Sequence, residues 1–128
     1  MFLFTKEERV ERKAPAPNSR FCSIYFDAAD IPGAHMSMAE FRFQPGQSGP
    51  RHEHAREVEV YYCLEGQGVV ICGDKEFRLH KGAALYIPPG TPHETRNDGP
   101  EEFVFLGIFG PCLDLSGMRA WEQAQRLP

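Results

Sequence analysis

Two histidines with one residue between them are the feature of this sequence that most directly suggests chemistry. His52 and His54 lie in the segment RHEHAREVEVYYCLEG, residues 51–66. Alternate residues of an extended chain point to the same side, so both imidazoles can offer a nitrogen to one cation. Two ligands do not make a stable site, and glutamates in the same segment are candidates for a third. The spacing therefore indicates the first part of a metal site.

Three glutamates compete for the position of third ligand. Glu53 lies between the histidines and points away from them on an extended chain. Glu57 and Glu59 reach the same centre only if the chain turns after the histidines. The apolar strand that begins at residue 59 favours Glu59, whose side chain would share a face with Tyr61.

A third histidine follows a turn further along the chain. The segment IPPGTPHETRN, residues 87–97, places His93 after a proline- and glycine-rich turn. Prolines end strand pairing and so determine where the following residues point. If the strand before this turn pairs with the strand after residue 59, His93 faces the other two histidines and supplies a fourth ligand.

These residues have to be positioned by β-strands, since the pattern is β almost throughout. About eight short strands recur every 8–12 residues, a spacing typical of a sandwich or a barrel. A Gly-Asp pair at 73–74 predicts a hairpin. The strands are predicted at 20–26, 35–44, 59–66, 69–72, 75–79, 83–90, 93–97 and 102–110.

One short helix is predicted near the C-terminus. Ser116 is a suitable cap for a helix over residues 117–126. Helical spacing brings Met118, Trp121 and Ala124 to one side, which indicates a face that docks on the barrel.

Two longer patterns link the candidate ligands, and through them the sequence resembles the cupin superfamily. The first pattern, G-x5-H-x-H-x4-E-x6-G, is met by Gly46, His52, His54, Glu59 and Gly66. The second, G-x5-P-x-G-x2-H-x3-N, is met by Gly82, Pro88, Gly90, His93 and Asn97. The chain is similar to small single-domain cupins of the cupin 2, conserved-barrel type.

The resemblance implies an all-β fold, a cupin-type antiparallel jelly-roll β-barrel with a short C-terminal helix. It divides the chain into an N-terminal extension (1–19), a barrel domain (20–110) and a C-terminal tail with the helix (111–128). It also implies a metal ion inside the barrel, held by His52, His54, Glu59 and His93. A homodimer is a further expectation from the family.

The donor set limits the metal to one divalent transition ion per chain. Three imidazoles and a carboxylate suit Fe(II), Mn(II), Co(II), Ni(II) or Zn(II). Catalytic zinc usually has three protein ligands, whereas an octahedral ion with four retains two open positions. Fe(II) and Mn(II) are therefore favoured, and Ni, Co and Zn remain alternatives.

The resemblance supports three kinds of function. The first is a dioxygenase-like enzyme that uses Fe(II) or Mn(II) on a small organic, carboxylate-bearing substrate. The second is a redox-neutral lyase, isomerase, decarboxylase or cyclase in which Mn, Ni or Zn acts as a Lewis acid. The third is a cupin that binds a small ligand without turning it over.

Several other residues are assigned to the surroundings of the metal. Tyr61 is the candidate catalytic residue, as a hydrogen-bond donor or a base, although it would also serve as a wall of the barrel. Arg51 and Arg56 flank the entrance and could attract a carboxylate, although solvated surface charges are the more usual reading. His35 and His80 are expected at the surface. The side chains expected to line or fill the barrel are Phe41, Phe43, Tyr86, Phe103 and Phe105, with Cys63 also pointing inward.

Composition argues against several other partners. The net charge is −4 and no basic run exceeds two residues, so a nucleic-acid surface is not expected. No segment approaches the roughly 20 apolar residues that cross a membrane, and the N-terminal apolar run is too short for a secretory signal. We expect a cytoplasmic protein. In that compartment its cysteines would be free thiols, Cys22, Cys63, Cys72 and Cys112.

Overall fold

The protein is built from ten β-strands and two short helical turns, in a computed structural model that describes residues 1–124. A 3₁₀ turn at Lys6–Glu8 precedes the first strand, and α1 covers Ser116–Arg119. The strands are β1 Glu11–Lys13, β2 Phe21–Phe26, β3 Ser37–Phe43, β4 Val58–Glu65, β5 Gln67–Cys72, β6 Lys75–His80, β7 Ala84–Ile87, β8 Glu94–Arg96, β9 Phe103–Gly110 and β10 Glu122–Gln123. None of the helices in this part of the chain is long and apolar enough to cross a membrane.

The strands form two antiparallel sheets. The larger sheet has the order β10-β1-β2-β3-β9-β4-β7, and the smaller has the order β6-β5-β8. This arrangement confirms the predicted all-β antiparallel fold, and the eight predicted strands correspond to β2–β9. β1 lies in the predicted N-terminal extension and β10 in the predicted tail, and both join the larger sheet. The division of the chain into three ranges remains a prediction.

The core is formed by aromatic side chains from two neighbouring strands. Phe41 and Phe43 of β3 and Phe103 and Phe105 of β9 are buried, as predicted. The rings of Phe41 and Phe105 stack with their centroids 5.3 Å apart. Each fully buried phenylalanine contributes about 1.5–3 kcal/mol of transfer free energy, so this cluster is a major part of the stability.

The prediction that Tyr86 faces the barrel interior was wrong. Tyr86 is 64% exposed, whereas Ile87 beside it is buried. The reason is the pairing of β7 with β4, which places Tyr86 opposite Val60 and Ile87 opposite the buried Glu59. Alternation along the strand then turns Tyr86 outward.

The predicted C-terminal helix is much shorter than expected. Only Ser116–Arg119 is helical, and the cap position is Leu115, which makes no side-chain cap hydrogen bond. Glu122–Gln123 instead pairs with β1 as an edge strand, and that pairing competes with continuation of the helix. Met118 and Trp121 do pack on the core, as predicted. The last two residues of the predicted helix lie outside the described residues.

Two residues of the cupin patterns have structural functions. Gly66 joins β4 to β5 with φ +69°, and a Cβ there would lie 1.9 Å from the carbonyl oxygen of Glu102. The buried amide of Asn97 donates to the carbonyls of Phe43 and Glu101, at 2.9 and 2.7 Å, and accepts from the backbone N–H of Gly99. Both residues fix the end of the barrel from which β9 begins.

Candidate metal centre

The candidate ligands come from three places in the fold. Glu59 projects from β4, His52 and His54 lie in the loop before that strand, and His93 directly precedes β8. An isolated backbone bridge connects the loops, with His52 N to His93 O at 3.0 Å and His93 N to His52 O at 2.9 Å. The N–H of Gly90 also donates to the carbonyl of His54 at 2.7 Å. These bonds hold the two sequence patterns against each other.

All four predicted donors meet in one place. One ligand atom from each of His52, His54, Glu59 and His93 lies within 4.8 Å of the others. Two atoms bound to one ion at roughly 2.0–2.2 Å lie at most about 4.4 Å apart, so the four donor atoms need at most a small inward movement to share one ion. Glu57 is not part of this group, so among the glutamates the structure supports the prediction of Glu59.

Backbone carbonyls orient two of the imidazoles. Nδ1 of His52 lies 2.8 Å from the carbonyl oxygen of Pro50, and Nδ1 of His93 lies 2.9 Å from that of Thr91. A carbonyl oxygen only accepts, so each Nδ1 carries a proton and each Nε2 is directed to the centre. Such a second hydrogen bond is typical of histidines that bind metals.

The pKa shifts of Glu59 and His52 favour the forms that bind a cation, whereas that of His93 favours its protonated form, which would have to release a proton to bind one. Burial opposes ionisation of Glu59, but His54 and His93 together hold the pKa of this carboxyl below its ordinary value. Burial lowers the pKa of His52, which favours its neutral form. Burial has the same tendency at His93, but its hydrogen bond with Glu59, at 3.2 Å, raises the pKa overall. Ionised carboxylate and neutral imidazole are the forms that bind metal ions.

One buried nitrogen supports the fit to a metal. Nε2 of His54 is buried and has no hydrogen-bond partner among the described residues. It lies 3.5 Å from Oε1 of Glu59, too far for a good hydrogen bond. A buried nitrogen without a partner costs about 1–3 kcal/mol, and a bound cation would remove that cost. The residues present therefore fit a divalent transition ion.

A glycine that sequence reasoning missed makes room for this cluster. A Cβ on Gly107 of β9 would lie 2.8 Å from Cε2 of Phe41 and 3.2 Å from Oε2 of Glu59. Gly107 pairs with Tyr61 on one side and Ala39 on the other. The only signal in the sequence was a glycine inside an otherwise apolar strand, which often marks a close approach.

The cluster opens onto a cavity of about 130 Å³ inside the barrel. Tyr61 is buried and lines it, with the hydroxyl 3.5 Å from Oγ1 of Thr95. Burial raises the pKa of Tyr61 well above its ordinary value. Half of the lining residues other than the metal ligands are aromatic, and Phe41, Phe43 and Phe105 line the cavity as predicted, whereas the buried Phe103 does not. The remaining lining residues are Arg20, Gly49, Pro50, Thr95, Phe109 and Met118.

The predictions for the other residues around the cavity were only partly confirmed. Cys63 is buried, and His35 and His80 are exposed, as predicted. Arg51 and Arg56 are exposed, and neither lines the cavity in the part of the chain described. Arg20, which precedes β2, lines it instead and was not identified from the sequence.

The profile of the cupin domain family matches residues 39–109, more than half of the chain and all four candidate ligands. Together with the barrel, this match shows that the chain belongs to the cupin family. It defines a small cupin with a three-histidine, one-glutamate cluster that could hold a metal ion.

Particular relatives fall into more than one functional group. A glucose-6-phosphate isomerase of Pyrococcus furiosus is 38% identical over 116 residues, covering 80% of this chain and 59% of that protein. An oxalate-binding protein of Thermotoga maritima is 31% identical over 70 residues, covering 55% and 58%. This chain thus spans little more than half the length of these two relatives. A crystal structure of a predicted oxalate decarboxylase from Thermotoga maritima superposes with a TM-score of 0.77 at 20% identity, over 86% of this chain and 99% of that one.

Proposed function

We propose that this protein is a metal-dependent enzyme that acts on a small organic carboxylate inside the barrel. The observation that carries the proposal is the position of the four converging donors at a cavity that five aromatic side chains line. An enclosed apolar site with a few convergent polar groups is the usual form of a small-molecule site. The names of the relatives, which include an oxalate-binding protein, are in keeping with such a substrate.

The residues have separate functions in this proposal. His52, His54, Glu59 and His93 would hold one divalent ion, which would polarise an oxygen of the substrate. Phe109 and Phe105 exclude water from the cavity, and the Tyr61 hydroxyl donates a hydrogen bond to a substrate oxygen. The carbonyls of Pro50 and Thr91 maintain the orientation of two ligands throughout the reaction.

Two reaction types are compatible with this arrangement. We place an oxygen-dependent, dioxygenase-type reaction with Fe(II) or Mn(II) first, because four protein ligands leave an octahedral ion two open positions. A redox-neutral isomerase, lyase or decarboxylase reaction is the second candidate, and the 38% identity with a glucose-6-phosphate isomerase favours it. Binding without turnover is the third, suggested by the relative named as oxalate-binding.

The first experiment is metal analysis of protein purified without oxygen. We expect about one transition ion per chain in the wild type and its loss in His93→Ala, because His93 is buried within the cluster. His80→Ala is the matched control, since His80 is an exposed histidine outside the cluster. A wild type that takes up neither Fe(II), Mn(II), Ni(II) nor Zn(II) would refute the metalloenzyme proposal. Oxygen consumption with a panel of small carboxylates then separates the oxygen-dependent reaction from the redox-neutral ones.

A further inference from the structure

One arginine in the wall of the metal cavity has no carboxylate partner. Arg20 is the only lysine or arginine lining this cavity within the described residues 1–124. It directly precedes β2 and lies two residues before the buried Cys22, on the same side of the chain. Neither sequence pattern includes it.

The side chain of Arg20 is held in place by neutral groups. Its Nη1 donates to the carbonyl of Asn18 at 2.8 Å, and its guanidinium lies 5.0 Å from the centre of the Trp121 ring. Gly49 leaves it room, since a Cβ there would lie 3.4 Å from Nε. A guanidinium carries five N–H donors, and only one makes a hydrogen bond within the described residues. The group is therefore oriented in advance, with donors to spare.

The charge of Arg20 is not balanced within the described part of the chain. Two other arginines with limited exposure, Arg9 and Arg119, have carboxylate partners, Glu40 and Asp27. Burial lowers the pKa of Arg20, which reflects the cost of keeping a charge away from water. The guanidinium nevertheless stays protonated at neutral pH. An anion in the cavity would satisfy both the charge and the free donors.

We infer that Arg20 binds the carboxylate of the substrate, while another oxygen of the same molecule faces the four-ligand cluster. This inference rests on the proposed function and adds the substrate class. The cavity of about 130 Å³ is similar in size to an engineered cavity of about 150 Å³ that binds benzene. The substrate is accordingly a short-chain hydroxy acid, oxo acid or dicarboxylate.

Binding measurements with matched charged and neutral probes test the inference. We would titrate glycolate, lactate and malonate, each beside its neutral amide, into Mn(II)-loaded wild type, Arg20→Gln, Arg20→Lys and Arg56→Gln. Arg56→Gln removes the same charge from an exposed position outside the cavity. Metal content and melting temperature of each variant are measured in parallel.

At least one acid should bind the wild type and Arg56→Gln with equal affinity. Arg20→Gln should bind it about 10- to 100-fold more weakly, the expected effect of losing a hydrogen bond to a charged group. The corresponding amide should bind wild type and Arg20→Gln equally, and Arg20→Lys should give an intermediate affinity for the acid. Metal content should not change.

Other results overturn the inference. Equal affinity of wild type and Arg20→Gln for the acids would do so, as would loss of metal from Arg20→Gln, which would make Arg20 part of the architecture of the metal site. Failure of the wild type to bind any of the acids would also refute it. If the wild type takes up no metal but still binds an acid through Arg20, the inference stands and the proposed enzyme function fails.

Discussion

Replacement of Asp27 by asparagine tests whether the carboxylate of Asp27 holds α1, which contributes Met118 to the cavity lining, in place. Asp27 is 1% exposed and follows β2 directly. Its Oδ2 accepts from the backbone N–H of Leu115 at 3.0 Å, and its Oδ1 accepts from Ala29 at 3.0 Å and from Arg119 at 2.7 Å. The carboxylate thus fastens the start of α1, from which Met118 reaches the cavity.

The expected cost follows from the number of acceptors. Asparagine has one carbonyl oxygen where Asp27 has two acceptors, so its amide N–H₂ must face either the N–H of Leu115 or the donors at Oδ1. A buried donor left unsatisfied costs about 1–3 kcal/mol, and the remaining bond with Arg119 loses its charge assistance. Because Arg119 is partly exposed, solvent reduces the ion-pair contribution. We expect Asp27→Asn to lower the free energy of unfolding by about 3 kcal/mol at pH 7, which is roughly a 100-fold change in the folding equilibrium.

The pH dependence makes this prediction specific. Burial opposes ionisation, but hydrogen bonds from Arg119, Leu115 and Ala29 hold the pKa of Asp27 below its ordinary value. A lowered pKa in the folded state stabilises the fold above the unfolded pKa of about 3.9, and that stabilisation is lost as pH falls through the folded pKa. The difference in free energy of unfolding between wild type and Asp27→Asn should therefore be largest at pH 7 and should decrease below about pH 4.

Urea unfolding of both proteins between pH 7 and pH 3 measures the effect. Asp30→Asn is the control, because Asp30 also pairs with Arg119, at 2.9 Å, but is more exposed. It should cost less than about 1 kcal/mol. A cost for Asp27→Asn below about 0.5 kcal/mol, or a difference that stays constant down to pH 3, would show that the carboxylate does not hold the segment.

Three further substitutions test the fold and the cluster. Gly107→Ala should lower the free energy of unfolding by about 1–3 kcal/mol, because the added methyl group crowds Phe41 and Glu59. It should also weaken metal binding in a titration. Unchanged uptake would mean that the cluster adjusts freely. Asn97→Asp should lower the free energy of unfolding in urea by about 2–4 kcal/mol, because both N–H donors to the carbonyls of Phe43 and Glu101 are lost. An unchanged free energy of unfolding would show that these two hydrogen bonds do not stabilise the fold. Tyr86→Ser should change the free energy of unfolding by less than about 0.5 kcal/mol, because the Tyr86 side chain is exposed. A larger loss would mean that this side of β7 is buried.

The sequence predicted the candidate ligands well because the relevant information is local. Spacing placed His52 and His54 on one side of an extended chain, and the start of an apolar strand selected Glu59. The contact of His93 with them depends on a backbone bridge between distant loops, which no local pattern specifies. The resemblance to cupins supplied that connection. The predicted homodimer remains untested by any of these observations.

The errors have a common physical origin in pairing between distant strands. Tyr86 was placed inside because its register against β4 could not be derived from its own segment. The helix was predicted too long because the open edge of β1, which takes Glu122–Gln123, is not visible in the helical pattern. Arg20 was not identified as a candidate carboxylate ligand, because it lies outside both cupin patterns and far from the histidines in the sequence.

The residues that distinguish this cavity lie partly outside the region that defines the family. The family match covers residues 39–109, which include every candidate metal ligand but neither Arg20 nor Met118. Arg20 directly precedes β2, before the matched region, and Met118 lies in α1 after it, where Asp27 holds the chain. A site with three histidines and one glutamate supports many reactions, so the choice of substrate depends on the other residues that line the cavity. The likeness to an isomerase and to an oxalate-binding protein therefore leaves the substrate open, and the guanidinium of Arg20 is the wall group that can select an acid.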